Sequence, residues 1–237
     1  MSILSQGLRR LIGIDDPWDE FASIAGEMVT EEDAIRCGLG SAWFQRLLSE
    51  GFGGASRTEV HHLRGRLADP DVLDLVRYVA ERVALRDSLG DVAELRFSPY
   101  DAIAAGLADV DLLFVVRDVL PGEEEVRAID LVPHCRRPAV RRLFGGLTGA
   151  GAPARLARVR TTLASRHERE AAAGDRIDLP IDVKDAAMSG AADEGTRAAL
   201  ARWFPREEEI TLRLLCRVPQ EPSLAKLADW RLMMASV

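Results

Sequence analysis

The stretch DPDVLDLVRYVAERVAL, residues 69–85, specifies its secondary structure more clearly than any other part of the chain. Asp69 is a favourable helix cap and Pro70 a favourable first helical residue, so together they predict where the helix begins. Arg77 and Glu81 stand four residues apart and are expected to pair on the solvent side. Apolar residues recur at the spacing that places them on one buried face of this helix: Val72, Leu75, Val76, Val79 and Val83.

Several other segments also favour helix. Thr30 and Asp33 resemble a capping box, with Asp in place of the usual Glu. Ser98 and Pro99 open a predicted helix that runs to Ala105. The predicted helix from Pro153 to Ala173 is the longest and carries several arginines. Further helices are expected at residues 4–12, 17–27, 196–204 and 223–234.

Strand signals are confined to the middle and the end of the sequence. Alternation over Val92 to Phe97 indicates a short strand, and alternation over Ile210 to Val218 is the strongest strand signal in the chain. Asp111 to Val119 and Val126 to Val132 suggest a hairpin across Leu120 to Glu125, although a helix over 109–120 is the competing interpretation. We therefore expect an α+β fold, rich in helix, with a small, mainly antiparallel sheet and a long arginine-bearing helix in the C-terminal part.

The glycine-rich segment from Gly145 to Pro153 is the best candidate for a linker. It predicts a helical N-terminal part with a small sheet, residues 1–144, and a C-terminal helical part with one strand, residues 154–237. A chain of 237 residues also fits one large domain, and that alternative stays open.

The composition is that of a globular protein, with 47% hydrophobic and 29% charged residues. No apolar run approaches the ~20 residues that cross a bilayer, so no membrane partner is expected. Cys37, Cys135 and Cys216 are odd in number and far apart, which disfavours a disulfide framework or a zinc site. We expect a cytoplasmic protein with no metal and no cofactor.

Catalytic motifs fail at required residues. Gly146 and Gly151 have the spacing of a phosphate-binding loop, but Ala152 and Pro153 stand where that loop needs Lys and a hydroxyl residue. No catalytic residue is therefore assigned, and an enzyme is the less favoured class.

One enzymatic alternative can be specified. Restriction-nuclease-like sites place an acid on one strand and Asp/Glu-x-Lys on the next, so that carboxylates hold Mg²⁺. Asp111 and Asp130 have this arrangement, but Val132 stands where the lysine should be. The alternative is thus a metal-dependent nuclease-like enzyme with an incomplete site.

The distribution of charge carries the favoured hypothesis. The chain has a formal net charge of −7, yet residues 135–170 hold nine arginines against two glutamates. We expect a non-catalytic binding or assembly protein whose arginine face meets an acidic protein partner or a nucleic-acid backbone. Pairing of these arginines with the chain's own acids is the competing interpretation. The candidate partner-binding residues are Arg136, Arg137, Arg141, Arg142, Arg155, Arg158, Arg166 and Arg169.

Overall fold

The computed structural model describes residues 17–52, 56–204, 209–218 and 221–235. The helix expected at residues 4–12 lies outside these ranges. Contacts within the chain divide it into two compact units. The first unit comprises the chain up to Gly90 together with Val132–Arg136, and the second comprises Asp91–Leu131 and the chain from Arg137 onward.

The first unit combines helices with one two-stranded ribbon. Its strands β1 (Met28–Thr30) and β2 (Arg57–Glu59) pair antiparallel, with Val29 opposite Thr58. The α-helices are α1 (Glu31–Arg36), α2 (Ser41–Gly51) and α3 (Pro70–Leu89). Short 3₁₀ helices span Pro17–Glu20, Ala22–Ile24, Val60–Arg66 and Val132–His134. The helix expected over residues 17–27 is thus two 3₁₀ turns.

Helix α3 confirms the prediction made from residues 69–85. The side chain of Asp69 accepts a hydrogen bond from the backbone N–H of Asp71 at 3.0 Å, and Pro70 occupies the first turn. The predicted apolar stripe is buried. Glu81 pairs with Arg136 at 3.1 Å instead of with Arg77, for which the described residues show no ion pair. The Tyr78 hydroxyl donates to the Pro133 carbonyl at 2.7 Å and so ties Val132–His134 to α3.

The capping box at Thr30 is also confirmed. The Thr30 Oγ1 accepts from the Asp33 N–H at 3.3 Å, and Asp33 accepts from the Thr30 N–H at 3.0 Å. Asp thus replaces the usual Glu without losing the reciprocal bonding. Asp33 is buried and faces Arg82 of α3 at 3.4 Å, so the cap also contributes an ion pair to the unit.

The second unit is mainly helical. Its one ribbon joins β3 (Arg96–Phe97) and β4 (Val126–Arg127) antiparallel, with Phe97 opposite Val126. The α-helices of its first part are α4 (Pro99–Ala104), α5 (Asp111–Val119), α6 (Ala128–Leu131), α7 (Pro138–Thr148) and α8 (Ala152–Ala173). Those of its second part are α9 (Val183–Met188), α10 (Glu194–Trp203), α11 (Leu212–Cys216) and α12 (Pro222–Ala235). Turns of 3₁₀ helix span Gly90–Val92 and Gly174–Arg176.

Two of the predicted strands are wrong, and a third is mostly wrong. Residues 111–119 form α5, which buries Leu112, Leu113 and Val116 on one helical face. Of the segment 126–132, only Val126–Arg127 is strand, and the predicted hairpin is replaced by a helix, a loop and a short strand. An apolar run this short fits either period, so tertiary packing decided it.

The strongest strand signal, over residues 210–218, is also wrong. Leu212–Cys216 is helix α11, and the Thr211 hydroxyl caps it by accepting from the Leu214 N–H at 3.4 Å. The helix buries Leu212, Leu215 and Cys216, which have helical as well as alternating spacing. Only an isolated bridge between Pro180 and Thr211 remains of the strand pairing. The α+β class, rich in helix with small antiparallel ribbons and a long arginine-bearing helix, is confirmed.

The glycine-rich segment is shorter than expected because residues 145–148 continue α7 and Ala152 already begins α8. The two helices pack against each other within the second unit, and the division between units falls at Gly90 and around Val132–Arg136. A boundary between independently folding domains at 145–153 stays a prediction.

Replacing Leu75 with Ala should lower the free energy of unfolding by about 2–5 kcal/mol, because Leu75 is fully buried on α3 and its loss leaves a cavity. Urea denaturation of wild type and variant measures the difference. Arg77→Ala, on the exposed face of the same helix, is the matched control and should change it by less than about 0.5 kcal/mol. Equal effects of the two substitutions would contradict the orientation of α3.

Candidate anion-binding surface on helices α7 and α8

Helices α7 and α8 carry six of the eight candidate arginines and follow each other through a turn at residues 149–151. Gly151 has φ +84°, a left-handed conformation that glycine adopts without strain, and it occupies the position before α8. The Arg155 Nη1 donates to the Gly146 carbonyl at 3.3 Å and thereby satisfies an acceptor near the end of α7.

Arg166 is buried inside the second unit. Its side chain is 4% exposed and meets three carboxylates that come from three different segments. The Nη2 lies 3.3 Å from Asp101 Oδ2 of α4 and also donates to Glu125, in the loop before β4. The Nη1 donates to Glu170, one turn further along α8, at 3.3 Å. This arginine is therefore an internal ion-pair residue.

The same contacts shift the acid titration of Glu125. Burial acts to raise the pKa of this carboxyl, but the hydrogen bond and the charge of Arg166 outweigh it and hold the pKa below its usual value. His167, whose Nε2 lies 3.8 Å from Glu125 Oε1, acts in the same direction. Glu125 is thus ionised at neutral pH.

Arg136 belongs to the first unit and forms ion pairs with acids of α3. Its Nη1 donates to Asp74 Oδ2 at 2.8 Å and its Nε to Glu81 at 3.1 Å, while the guanidinium lies 5.4 Å from the centre of the Tyr78 ring. A bidentate contact with one acid, a second acid and an aromatic ring satisfy most of its donors. Arg136 is therefore partly buried and engaged by acids of its own unit.

Two arginines at the start of α7 are paired but remain exposed. Arg137 Nη1 lies 2.7 Å from Asp118 Oδ2, and Arg142 pairs with Asp109. Exposed pairs of this kind contribute little to stability and separate readily. Both arginines remain accessible to a competing anion.

Arg169 is the last candidate on α8 and is held more loosely than Arg166. It is 25% exposed and its Nη1 lies 3.8 Å from Asp229 of α12. At this distance the interaction is electrostatic without a hydrogen bond. Of the four candidate arginines on α8, Arg166 is therefore buried, Arg155 and Arg169 are partly buried, and Arg158 is exposed.

Arg141, Arg158 and Arg160 are exposed and form no ion pair with another described residue. Residues 131–167 contain no Asp or Glu, so neighbours in sequence cannot neutralise them. Arg141 lies in the first half of α7, and Arg158 and Arg160 lie in the first half of α8.

The nuclease-like alternative places Asp111 and Asp130 on neighbouring strands, but the structure places both on helices. Asp111 begins α5 and Asp130 lies on α6. Asp130 accepts from Arg127 Nη2 at 2.7 Å and Nε at 3.1 Å, which lowers its pKa. Both of its oxygens are occupied by this arginine, so it is not oriented as a metal ligand.

Within the described ranges, no group of three or more His, Cys, Asp or Glu side chains could hold a metal ion. Cys37, Cys135 and Cys216 are free thiols, and burial raises the pKa of Cys37 to about 12 and that of Cys216 to about 11. Such thiols are poor nucleophiles at neutral pH. Among the same residues, no helix is both long enough and apolar enough to span a bilayer.

Sequence reasoning missed a cleft in the second unit that is lined by Tyr100, Glu124 and Arg217. Arg217 lies in the segment for which alternation predicts a strand, whereas it follows α11 and is 6% exposed. Nothing in the local sequence marks these residues as neighbours. The acidic run Glu123–Glu125 is apparent in the sequence, but its partners are not, because they are distant along the chain.

Comparison of the chain with protein-family models, with curated proteins and with solved structures finds no match. The functional proposals therefore depend on the residues described above.

Replacing Arg166 with Met should destabilise the second unit by about 3–5 kcal/mol, because three carboxylates lose their shared counter-charge. Thermal and urea unfolding report the loss. Arg158→Met, on the exposed side of the same helix, is the control and should be neutral within about 0.5 kcal/mol. If the Arg166→Met variant were as stable as wild type, Arg166 would lie at the surface instead.

Glu125→Gln should destabilise the protein by about 1 kcal/mol at pH 7, since one of three partners of Arg166 loses its charge. The folded pKa of Glu125 is lowered, so its stabilising effect is complete above the unfolded value of about 4.3 and disappears as the pH falls through the folded value. Unfolding curves of both proteins from pH 7 to pH 3 should therefore converge at the acid end. A difference that stays constant with pH would contradict the ion pair.

Proposed function

We propose that this protein is a non-catalytic binding or assembly protein that contacts an acidic segment of a partner protein through Arg141, Arg158 and Arg160. The supporting observation is that these three side chains are exposed and form no ion pair with another described residue. Acids of this chain pair with other arginines of the same stretch of sequence, namely Arg136, Arg137, Arg142 and Arg166. Arg137 and Arg142 extend the surface when their exposed pairs open.

The position of these arginines supports a ligand role over a stabilising one. No acid occupies the first turn of α7 or α8, where the helix dipole favours an anion. A bound carboxylate would supply the counter-charge that Arg141, Arg158 and Arg160 lack among the described residues. The binding of an acidic segment is thus favourable at the place where the chain itself supplies no acid.

An acidic protein is favoured over a nucleic acid as the partner. Three exposed arginines are few for non-specific nucleic-acid binding, which depends on many phosphate contacts. A short acidic segment carries few charges, so the net charge of −7 repels it less than it repels a long phosphate backbone. We further propose a cytoplasmic location, in which the free thiols stay reduced.

The test uses a fluorescent oligoglutamate peptide as a probe, followed by anisotropy. The double substitution Arg158→Glu/Arg160→Glu should weaken its binding by at least about tenfold, since two attractive contacts become repulsive. The control is Arg46→Glu/Arg197→Glu, which changes the net charge equally at exposed arginines on α2 and α10 without an ion pair among the described residues. The control should bind like wild type, and both variants should keep the wild-type melting temperature.

Equal losses in the two double variants would show that net charge alone governs binding and would refute the proposed surface. A duplex DNA of the same fluorescent label serves as the competing probe. If DNA binds more tightly than the peptide, with affinity that falls steeply with salt and is lost in Arg158→Glu/Arg160→Glu, the partner is a nucleic acid instead. Binding of neither probe to wild type would remove the proposal.

A further inference from the structure

The second unit contains an open cleft of ≈ 230 Å³, here called the Arg217 cleft. Its lining includes no arginine of α7 or α8. Its walls combine apolar side chains, such as Leu113 and Leu214, with the charged side chains of Arg117 and Glu123. Arg217 and Glu124 line it as a charged pair. The volume equals that of about eight water molecules in the liquid, which suits a small ligand or a single side chain.

Arg217 is a buried guanidinium that the chain satisfies only in part. Its side chain is 7% exposed and the guanidinium lies 6.0 Å from the centre of the Tyr100 ring. The Nη2 lies 2.6 Å from Glu124 Oε2, while the Nε is enclosed and has no hydrogen-bond partner among the described residues. A buried donor without an acceptor costs free energy, so binding of an acceptor that also reaches the Nε is favoured.

The neighbouring Arg213 shows how an arginine binds a carboxylate when both its Nε and its Nη2 donate. Its Nε donates to Asp178 Oδ1 at 2.7 Å and its Nη2 to Asp178 Oδ2 at 3.0 Å, a side-on bidentate contact with one carboxylate. Arg217 offers the same pair of donors, but Glu124 reaches only the Nη2. A carboxylate placed to meet both donors would bind this arginine better than Glu124 does.

Glu124 is suited to give way to such a ligand. Its side chain is 59% exposed, and it lies in the loop between α5 and β4, close to Gly122, which has φ +86°. An exposed carboxylate loses little when it returns to water, whereas the buried arginine requires a counter-charge. In the structure described here, Glu124 therefore acts as an internal occupant of the cleft.

We propose that the Arg217 cleft binds a small monocarboxylate with an apolar body, whose carboxylate displaces Glu124 and forms a bidentate contact with Arg217. The apolar walls take the body of the ligand, and the Tyr100 ring keeps the guanidinium in place. The site is independent of the proposed partner-binding surface.

Benzoate and hexanoate are the probes, benzamide is the neutral analogue, and binding is followed by heteronuclear NMR of the full chain. At least one of the two acids should bind wild type with a dissociation constant of order 1 mM, and benzamide should bind at least about tenfold more weakly. Shifts should concentrate at residues of the cleft. Arg158→Glu/Arg160→Glu should bind the acids like wild type, which separates this site from the proposed surface.

Glu124→Gln is the decisive variant, because glutamine keeps the shape of this exposed side chain and removes the charge that competes with the ligand. It should tighten binding of the acid by about three- to fivefold, an outcome that a purely structural role of Glu124 does not produce. Leu214→Trp should fill the cleft and abolish binding, with circular dichroism as the check on folding. Unchanged or weaker binding in Glu124→Gln, or no binding of either acid at about 20 mM, would overturn the proposal.

Discussion

A buried guanidinium in a helix requires counter-charges, and in the second unit this requirement brings three segments together. Arg166 of α8 meets Asp101 of α4, Glu125 of the loop before β4, and Glu170 of its own helix. Taking such charges out of water costs several kcal/mol for each ion, and their attraction offsets this only when the geometry is good. The cluster is therefore better understood as a constraint on how α4, α8 and the acidic loop are placed than as a source of net stability.

The fully buried Asp101 shows how local and tertiary constraints coincide. Its Oδ2 accepts from the Ser98 N–H at 2.8 Å, and its N–H bonds the Ser98 hydroxyl at 3.2 Å, which completes the capping box of α4. The same carboxylate then faces Arg166. A residue that begins a helix thus also fixes the helix against α8, because one side chain serves both sets of donors.

The acidic run Glu123–Glu125 connects this constraint with both proposals. Glu125 is bound to Arg166 and Glu124 to Arg217, so one short loop supplies counter-charges to two buried arginines. In the part of the chain that the structure describes, no acid forms an ion pair with Arg141, Arg158 or Arg160. The division between structural and available arginines follows from which acids the fold brings within reach.

The sequence by itself determined the helix-rich α+β class, the extent of α8 and the start of α3, because caps and apolar periodicity act within a few residues. It also located the arginine-rich segment. Only the tertiary structure decided that residues 111–119 and 212–216 are helical, since their apolar spacing satisfies both periods and the surrounding core selects one. It likewise decided that Arg166 is buried while Arg158 is exposed, and that Arg217 faces Glu124. Such pairings join residues that are far apart in the chain, and no local pattern encodes them.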